Sequence, residues 1–426
     1  MRSLLGKVAG VAVGAALMVL AVSPPAGATA SKISRPATGI YLGAFVDPDN
    51  HWDGVVRQEG EVRTFEQHIG RKLDLDHHYY GWSGSSQMFP AAFDRWDVQG
   101  GRIPLISWEG TNLDSINSGS QDASIRARAA AVKKFGHRVF ISWGYEMNGN
   151  WNPWDGYHNN SPGRTDGPAK FVAAWRRIHN IFQRAGATNV TWVWTPNDRD
   201  IPSTSWNHWT NYYPGDAYVD WVGVDGYNWG TAQSWSQWTP FGNLFTGVYG
   251  TYASRKPIMV VETASAEQGG SKAQWIRGMW KALVYQYPDI KAVVWMETGP
   301  TWKVETSASA LSAFWNMATS PYFTQRKDTT APYVSHSSVG VSSSSMDLRF
   351  RLSEPARVLI TITNQAGLVV RRLVGGRALT PGPHEVRWNL RNSAGGRVRA
   401  GLYRWRIRAT DPSSNVRTTS SSVRVP

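Results

Sequence analysis

Short apolar runs alternate with amphipathic segments between residues 38 and 320 of the chain. The runs 139–143 and 258–261 are almost continuously apolar, which is typical of strands that are covered on both faces. Phe171, Ala174 and Ile178 instead recur every three or four residues, which indicates the buried face of a helix. The pattern predicts eight strands, over residues 40–46, 73–79, 102–108, 139–143, 190–194, 219–224, 258–261 and 290–295.

Helical or long connecting segments follow most of these strands. Alternating strands and helices favour a parallel sheet covered by helices, and eight units in about 290 residues predict an α/β fold, the (β/α)8 TIM barrel. An open doubly wound sheet is the alternative. It is disfavoured because no glycine-rich phosphate-binding turn follows the first strand, where Gly43 stands alone.

The segment after residue 326 has a different pattern. Its first six residues resemble a linker, and short runs such as 348–352 and 403–407 then alternate apolar with polar residues between turn signals. This alternation predicts a small all-β, immunoglobulin-like sandwich. We therefore divide the chain into a signal peptide (1–30), a barrel domain (31–326) and a β-sandwich module with an N-terminal linker (327–426).

Residues 1–30 have the organisation of a secretory signal peptide. Two basic residues precede an apolar run over residues 8–22, and residues 28–30 form a small-residue cleavage site. A membrane anchor is less well supported because the run is short and is followed by two prolines. We expect a secreted, extracellular protein with no membrane contact after cleavage.

The formal net charge of +14 is concentrated in the C-terminal segment. Residues 328–426 contain 15 arginines, no lysine and 5 acidic residues, a net charge of +10, whereas residues 31–327 carry only +2. Such a module favours an anionic partner, for example a cell-wall polymer, and a solvated spacer is an equally weighted alternative. Nucleic acid is disfavoured because Trp388 and Trp405 are the only tryptophans beyond residue 327.

Two glutamates lie at the ends of predicted strands. Glu146 follows the fourth predicted strand and Glu262 follows the apolar run of the seventh. The C-terminal ends of all strands meet at one mouth of a closed parallel barrel, so both carboxylates are expected there. Two carboxylates about 5 Å apart can cleave a glycosidic bond with retention of configuration, one as acid/base and the other as nucleophile. Residues that merely pack are the alternative for either glutamate alone, and the paired placement favours catalysis.

The surroundings of these glutamates resemble glycoside hydrolase family 26 over about residues 38–323. The matching motifs are Gly144-Tyr145-Glu146-Met147-Asn148-Gly149 with Trp151, then Asn197, Asp225-Gly226-Tyr227, Glu262-Thr263 and Trp302, and also Ile106-Ser107-Trp108-Glu109. The resemblance implies a (β/α)8 barrel that cleaves a β-linked polysaccharide internally with retention. It makes Glu146 the acid/base and Glu262 the nucleophile, with a hydrogen bond from Tyr227. Implied substrate contacts are Trp108, Tyr145, Asn148, Trp151, Asn197, Tyr227 and Trp302.

Two positions depart from the family pattern. The residue before the acid/base is usually histidine in the family and is Tyr145 here, and the position four residues before Glu146, often arginine, is Ser142. Tyrosine can still donate a hydrogen bond. The two changes bear on whether the substrate is β-1,4-mannan, as for most members, or the mixed-linkage β-glucan or β-1,3-xylan that others cleave.

The C-terminal module resembles the immunoglobulin-like modules of the flagellar hook-capping type. The matching residues are His384-Glu385-Val386-Arg387-Trp388, followed by Ala400-Gly401-Leu402-Tyr403. The resemblance supports the predicted sandwich and says little about function.

Weaker candidates lie around the expected mouth. About half of the loop tryptophans near strands five and six are expected to stack on sugar rings and the rest to pack: Trp206, Trp209, Trp229, Trp235 and Trp238. His77 and His78 either bind sugar hydroxyls or are structural. Segment 47–53 could hold calcium, but it lacks the glycine and terminal glutamate of an EF-hand loop, so a solvated loop is favoured. We predict no catalytic metal and no cofactor.

We therefore predict a secreted, retaining endo-β-glycanase that hydrolyses β-1,4-mannan-type polysaccharide by a two-glutamate double displacement. The alternatives are a mixed-linkage β-1,3-1,4-glucanase or β-1,3-xylanase on the same scaffold, and a non-catalytic polysaccharide-binding protein on an inactive barrel. The presence of both glutamates argues against the non-catalytic alternative. We expect a polysaccharide partner, no nucleic acid and a monomer.

Overall fold

A closed barrel of parallel strands forms the first part of the computed structural model, which describes residues 31–47, 59–84 and 88–426. Each strand pairs with the next along the chain, and the eighth pairs with the first. This confirms the predicted (β/α)8 barrel and excludes the open doubly wound sheet. The strands are β1 (Tyr41–Asp47), β2 (Leu75–Tyr80), β3 (Ile103–Trp108), β4 (Val139–Trp143), β5 (Val190–Trp194), β6 (Trp221–Asp225), β7 (Ile258–Thr263) and β8 (Ile290–Thr298).

α-Helices lie between successive strands and cover the barrel, except between the fifth and sixth strands, which are joined through two 3-10 turns. The predicted helical face is observed in α5 (Gly167–Ala185), where Phe171, Ala174 and Ile178 are buried, and Gly186 ends this helix with a left-handed φ of 75°. None of the helices in the described ranges has the length and apolar character needed to cross a membrane. The α-helices are α1 (Glu59–Ile69), α2 (Ala92–Gly100), α3 (Leu113–Asn117), α4 (Asp122–Phe135), α5 (Gly167–Ala185), α6 (Phe241–Leu244), α7 (Thr246–Tyr252), α8 (Lys272–Tyr285), α9 (Gly299–Trp302), α10 (Ala308–Ala318) and α11 (Pro321–Thr324), with 3-10 turns at Ser205–Asn207, Trp209–Tyr212 and Val304–Thr306.

The barrel interior is packed with side chains rather than open. Residues from seven of the strands form one buried apolar cluster: Leu75, Leu105, Phe140, Val193, Trp221, Met259, Val261, Ala292 and Val294. Ile33 joins this cluster ahead of β1, where its backbone N–H donates to Thr191 Oγ1 (2.7 Å) and its carbonyl accepts from Trp221 Nε1 (3.1 Å). The N-terminal end of the barrel is therefore closed, and the opposite end carries the functional residues.

Two antiparallel sheets form the C-terminal module, which confirms the predicted sandwich. One sheet has the order β13-β10-β9 and the other the order β12-β11-β14-β15. Trp388 and Trp405 are buried between them. The strands are β9 (Val334–Val341), β10 (Met346–Leu352), β11 (Ala356–Thr363), β12 (Val369–Leu379), β13 (Gly382–Trp388), β14 (Gly401–Thr410) and β15 (Val416–Val425).

Three strands of the module were not predicted from the sequence: β9, β12 and β15. Each lies at the edge of its sheet. In β15 only Val423 and Val425 are buried, so the alternation that marks a strand is confined to its last residues. β9 was not predicted either, because it lies in a serine-rich segment of the sequence.

The module contacts the barrel at the end opposite the mouth. Tyr285 is the last residue of α8, just before β8 begins, and its hydroxyl donates to the Pro355 carbonyl (3.3 Å). The Arg357 guanidinium lies over the same ring at 5.2 Å. Residues 326–333, which include the predicted linker, form neither helix nor strand. The predicted signal peptide and residues 48–53 of the calcium-loop candidate lie outside the described residues.

Candidate active site

Glu146 is presented by a sharp turn after β4. All of β4 is buried, and the chain leaves it through Gly144 (φ 59°) and Glu146 (φ 54°), both in the left-handed region. The Gly144 N–H donates to the Trp108 carbonyl (3.0 Å) and the Glu146 N–H to the Thr195 carbonyl (2.8 Å). A side chain at position 144 would also approach the Phe171 ring at 3.0 Å, so glycine is favoured there. These bonds hold Glu146, which is partly exposed, over the end of the barrel.

Glu262 lies within β7 and is almost completely buried. Both of its carboxylate oxygens accept hydrogen bonds from tyrosine hydroxyls: Tyr227 Oη donates to Oε2 at 2.7 Å, and Tyr79 Oη donates to Oε1. The predicted contact of Tyr227 with the nucleophile candidate is therefore present. Tyr79, near the end of β2, was missed, although its place at the C-terminal end of a strand was the available signal.

Glu146 is held by two N–H donors. Asn197 Nδ2 donates to its Oε1 at 2.6 Å, and Trp151 Nε1 donates to its Oε2 at 2.8 Å. The Trp151 indole lies directly over Gly149, where any side chain would approach the ring to about 2.5 Å. The Gly149 position of the sequence motif thus allows Trp151 to reach the glutamate.

A third carboxylate completes the cluster. Single carboxylate oxygens of Glu146, Asp225 and Glu262 all lie within 4.8 Å of one another. Asp225 ends β6 and is fully buried, and neither of its side-chain oxygens has a hydrogen-bond partner among the described residues. Three carboxylates could in principle ligate a cation. However, all four glutamate oxygens already accept hydrogen bonds, so the surroundings suit a proton-sharing pair better.

Burial raises the pKa of all three carboxyl groups. The pKa of Glu262 rises from 4.5 to about 7, first through burial and then through the charge of Glu146, against the two tyrosine hydrogen bonds. Burial also raises the pKa of Glu146, opposed by the bonds from Asn197 and Trp151. The pKa of Asp225 rises well above its usual value through burial and the charges of Glu262 and Glu146. The cluster therefore retains protons near neutral pH, because the three groups cannot all ionise so close together.

Aromatic side chains lie beside both glutamates. Trp302 contacts Tyr227 with ring centroids 5.1 Å apart, Trp229 contacts Trp302 at 4.6 Å, and Trp235 contacts Trp229 at 5.5 Å. Trp235 is 64% exposed, and Trp151, beside Glu146, is 46% exposed. Accessible rings therefore lie on both sides of the carboxylate pair.

The five loop tryptophans divide between packing and exposure. Trp209 is buried, and Trp238 packs against the core with its ring close to Gly270. Trp206 is half-buried. Trp229 and Trp235 continue the aromatic row beside Trp302, as described above.

Two predicted substrate contacts are contradicted by burial. Trp108 is 0% exposed, because its ring stacks on Trp82 at 4.8 Å and the Arg128 guanidinium lies 5.1 Å from its centroid. Asn148 is also fully buried. Its Nδ2 donates to Asp200 Oδ1 (2.9 Å) and its Oδ1 accepts from the Asn197 N–H (2.9 Å). Asn148 thus positions Asn197, the donor to Glu146, and does not reach a sugar.

The two departures from the family pattern have different surroundings. Ser142 is buried, and its hydroxyl forms a 2.7 Å hydrogen bond with that of Thr195. Tyr145 is partly exposed, and its ring contacts those of Tyr79 (5.7 Å) and Trp154 (5.4 Å). Burial and the charge of Glu262 raise the Tyr145 pKa well above its usual value, so this hydroxyl remains protonated.

Both histidines of the β2 pair are buried and structural. The His77 Nε2 lies 2.7 Å from Ser107 Oγ. His78 contacts Asp94 through Nδ1 (2.8 Å) and Asp97 through Nε2 (3.0 Å). Burial lowers the pKa of His78, but the charges of the two aspartates outweigh it and raise the pKa well above its usual value. Neither side chain is accessible to sugar hydroxyls.

Comparison with known proteins identifies both parts of the chain. Residues 124–269 match the model for glycosyl hydrolase family 26, and residues 335–413 match the model for the FlgD Ig-like domain. The barrel therefore carries a glycosyl hydrolase family 26 domain over residues 124–269. Both resemblances noted in the sequence are thereby confirmed.

Relatives of the family 26 barrel differ in their activities. Endoglucanase H of Acetivibrio thermocellus is 36% identical over 284 residues, which cover 65% of this chain and 30% of that protein. Mannan endo-1,4-beta-mannosidase A and B of Caldalkalibacillus mannanilyticus is 35% identical over 88 residues, 20% of this chain and 15% of that protein. A solved Cellulomonas fimi endo-beta-1,4-mannanase double mutant has a TM-score of 0.47 and 15% identity, with 91% and 94% of the two chains covered. The chain thus spans less than a third of the length of each of these two relatives that were matched by sequence.

Proposed function

We propose that the barrel is a retaining endo-β-glycanase with Glu146 as acid/base and Glu262 as nucleophile. The observation that carries the proposal is the separation of their carboxylate oxygens, which is within 4.8 Å. Retaining glycosidases hold their two carboxyl groups about 5–5.5 Å apart, whereas inverting enzymes need about 6.5–9.5 Å to admit a water molecule.

The two roles follow from the different surroundings of the glutamates. The hydroxyls of Tyr79 and Tyr227 both donate to Glu262 and so stabilise its ionised form, which a nucleophile requires. Glu146 is partly exposed beside Trp151, where a leaving group can reach its proton. We therefore assign the proton shared by the pair to Glu146.

The reaction then has two steps. A Glu262 oxygen attacks the anomeric carbon while Glu146 gives its proton to the glycosidic oxygen, so the C–O bond to the leaving chain breaks. Glu146, now ionised, takes a proton from water. That water attacks the anomeric carbon, and the bond to Glu262 breaks. The configuration is inverted twice and is retained overall.

Internal cleavage is supported by the aromatic rings on both sides of the pair. Trp151 lies beside Glu146, and the row Trp302, Trp229 and Trp235 leads away from Tyr227 beside Glu262. Sugar rings have apolar faces that pack on such side chains. A glycan bound across both groups is cut within the chain rather than at its end.

The substrate is proposed as β-1,4-mannan or glucomannan, in keeping with the family resemblance. A second candidate, mixed-linkage β-glucan, is favoured by one observation: the similarity that covers nearly the whole barrel is to an endoglucanase. Mannose and glucose differ in the orientation of the 2-hydroxyl, which lies next to the attacked carbon. Reducing-sugar release and viscosity on pure mannan, glucomannan, barley-type glucan and β-1,3-xylan will distinguish the candidates.

Single-residue variants test the catalytic assignment. Glu262→Ala is expected to abolish turnover on every substrate. Glu146→Ala is expected to fail on polysaccharide but to cleave aryl glycosides with very good leaving groups, because these need no proton. Glu385→Ala, which removes an exposed glutamate of the C-terminal module, serves as the control and should retain full activity.

The configuration of the first product tests the mechanism independently. NMR of the fresh reaction mixture should show the β-anomer before mutarotation. An initial α-anomer would contradict the retaining mechanism, and wild-type activity of Glu146→Ala on polysaccharide would contradict its role. Binding without cleavage on the whole panel would favour the non-catalytic alternative.

Secretion is part of the same proposal. It is supported by the signal-peptide pattern of residues 1–30 and by a polymeric substrate that cannot enter a cell. Expression of the full chain in a bacterial host, followed by N-terminal sequencing of the protein in the medium, is expected to show cleavage close to residue 30.

A further inference from the structure

The larger sheet of the C-terminal module carries positive charge without any acidic residue. Strands β11, β12, β14 and β15 contain nine arginines, no aspartate and no glutamate. The smaller sheet is different, because two of its arginines are paired: Arg349 with Glu385 (3.2 Å) and Arg387 with Asp347 (2.6 Å). The uncompensated charge found in the sequence is thus a property of one sheet.

Strand β14 places three of these arginines in a row. Arg404, Arg406 and Arg408 are exposed and alternate with the buried Trp405 and Ile407, so they point away from the module core. Alternate residues of a strand are about 7 Å apart. None of the three forms an ion pair or a side-chain hydrogen bond within the described part of the chain.

Hydroxyl groups flank this row on both neighbouring strands. Five of the six cross-strand neighbours are serine or threonine: Thr363 and Ser422 beside Arg404, Thr361 and Ser420 beside Arg406, and Thr418 beside Arg408, with Leu359 as the sixth. Cross-strand neighbours share a face of the sheet. We call Arg404, Arg406, Arg408 and these neighbours the arginine face.

We propose that the arginine face binds a carboxylate-bearing polysaccharide, a polyuronate. The planar guanidinium presents paired N–H donors that match a carboxylate, and repeated carboxylates can be met by repeated arginines. The serine and threonine hydroxyls can bond the ring hydroxyls between them. This binding site is separate from the proposed catalytic site and does not depend on it.

The composition of the face disfavours other polymers. Trp388 and Trp405 are buried in the module, so the face offers no tryptophan on which a nucleobase or an uncharged sugar could stack. A neutral glycan would also leave the guanidinium charges unmatched. The arginine face can therefore contact a polymer through its guanidinium charges and its serine and threonine hydroxyls.

The barrel leaves the arginine face accessible. The module meets the barrel through Tyr285 with Pro355 and Arg357, whereas Arg404, Arg406 and Arg408 are exposed. The attached end of the barrel is opposite the mouth. Occupation of the face should therefore leave hydrolysis of a soluble substrate unchanged.

Retention of the full chain on immobilised polygalacturonate tests the proposal. The variant carries Arg404→Gln, Arg406→Gln and Arg408→Gln. A matched control removes three exposed arginines elsewhere in the module, by Arg349→Gln, Arg387→Gln and Arg391→Gln, and so has the same net charge. The wild type and the control should bind alike. The variant should bind about tenfold more weakly, since three exposed charge pairs each contribute about a factor of two.

Salt and conservative substitution give two further readouts. Wild-type retention should fall steeply between 0.05 M and 1 M NaCl, because the screening length shortens to about 3 Å at 1 M. Replacement of the same three arginines by lysine should restore part of the binding, since the charge returns without the planar fork. The thermal unfolding midpoint and hydrolysis of soluble glycan should match the wild type in every variant, which establishes that each is folded.

Three outcomes would overturn the proposal. Equal retention of the folded glutamine variant and the wild type would remove the arginine face from the interaction. Equal weakening of the variant and the control would reduce the effect to net charge. Tighter wild-type binding to a phosphodiester wall polymer or to single-stranded DNA than to polygalacturonate, at the same salt concentration, would show that the partner is of another class.

Discussion

Replacing Glu262 by glutamine should change how the stability of the protein depends on pH. The group is buried, and its pKa in the folded protein is about 7 against an ordinary value of 4.5. The carboxylate pair of Glu262 and Glu146 thus holds a proton in the folded state at pH values where the unfolded chain has lost it. The associated stability is fully present below pH 4, and it declines as the pH rises towards 7.

The size of the effect follows from the two pKa values. A difference of about 2.5 pKa units costs the wild type about 3 kcal/mol of unfolding free energy at pH 7 relative to pH 4. Glutamine does not titrate, so Glu262→Gln should lack this loss. The substitution also removes one tyrosine hydrogen bond, because the amide nitrogen cannot accept from Tyr79 or Tyr227. The loss of this hydrogen bond does not depend on pH, so it cancels when the free-energy differences at pH 4 and pH 7 are compared.

Urea unfolding of both proteins between pH 4 and pH 8 measures the effect. The unfolding free energy of the variant minus that of the wild type should increase by about 3 kcal/mol between pH 4 and pH 7. Glu267→Gln is the control of opposite sign. Burial raises the pKa of Glu267, but hydrogen bonds led by Ser307 outweigh it and lower the pKa. The stability that ionised Glu267 contributes to the folded protein is therefore present at neutral pH and lost in acid. A free-energy difference for Glu262→Gln that is constant with pH would refute the reasoning.

Three further predictions concern the site. Tyr79→Phe and Tyr227→Phe each remove a hydrogen-bond donor to the proposed nucleophile Glu262, so the acidic limb of the kcat/KM–pH profile should move upward by about one pH unit. An acidic limb that does not move in either variant would contradict the role of these tyrosines. Asp225→Asn should raise the unfolding midpoint at pH 7 but not at pH 3, since this buried carboxyl favours its neutral form; an equal shift at both pH values would contradict it. Trp235→Ala, at an exposed tryptophan, should raise KM with little change in unfolding temperature, whereas Trp238→Ala, at one that packs against the core, should lower the unfolding temperature. The reverse pattern would contradict these two placements.

The barrel was predictable because its strands are buried on both faces. A run such as that of β4 has no polar residue directed to solvent, and eight such runs separated by helices leave few topologies. The edge strands of the C-terminal module were not predictable in the same way. In β15 the side chains before Val423 are exposed or partly so, and a strand of this kind carries no apolar alternation.

The sequence allowed the site to be located at the C-terminal ends of the strands, but it did not show which side chains at those ends face the site. Glu146 and Glu262 were found because parallel strands bring their C-terminal ends together. Trp108 also ends a strand, but its ring turns outward onto Trp82, and only the three-dimensional packing decides that direction. Tyr79 lies near such a strand end as well, but it was missed because the sequence does not distinguish a tyrosine that donates to a carboxylate from one that packs in the core.

The left-handed backbone at Glu146 has a consequence for protein engineering. A residue with a side chain at a φ of 54° is less stable than glycine by about 1 kcal/mol. A redesign guided by stability alone would therefore replace the proposed acid/base among its first choices, and the more stable protein would be inactive on polysaccharide. The same strain makes Glu146→Gly more stable than Glu146→Ala, with the same loss of activity on polysaccharide. It is the better candidate for trapping an intact polysaccharide chain for crystallography.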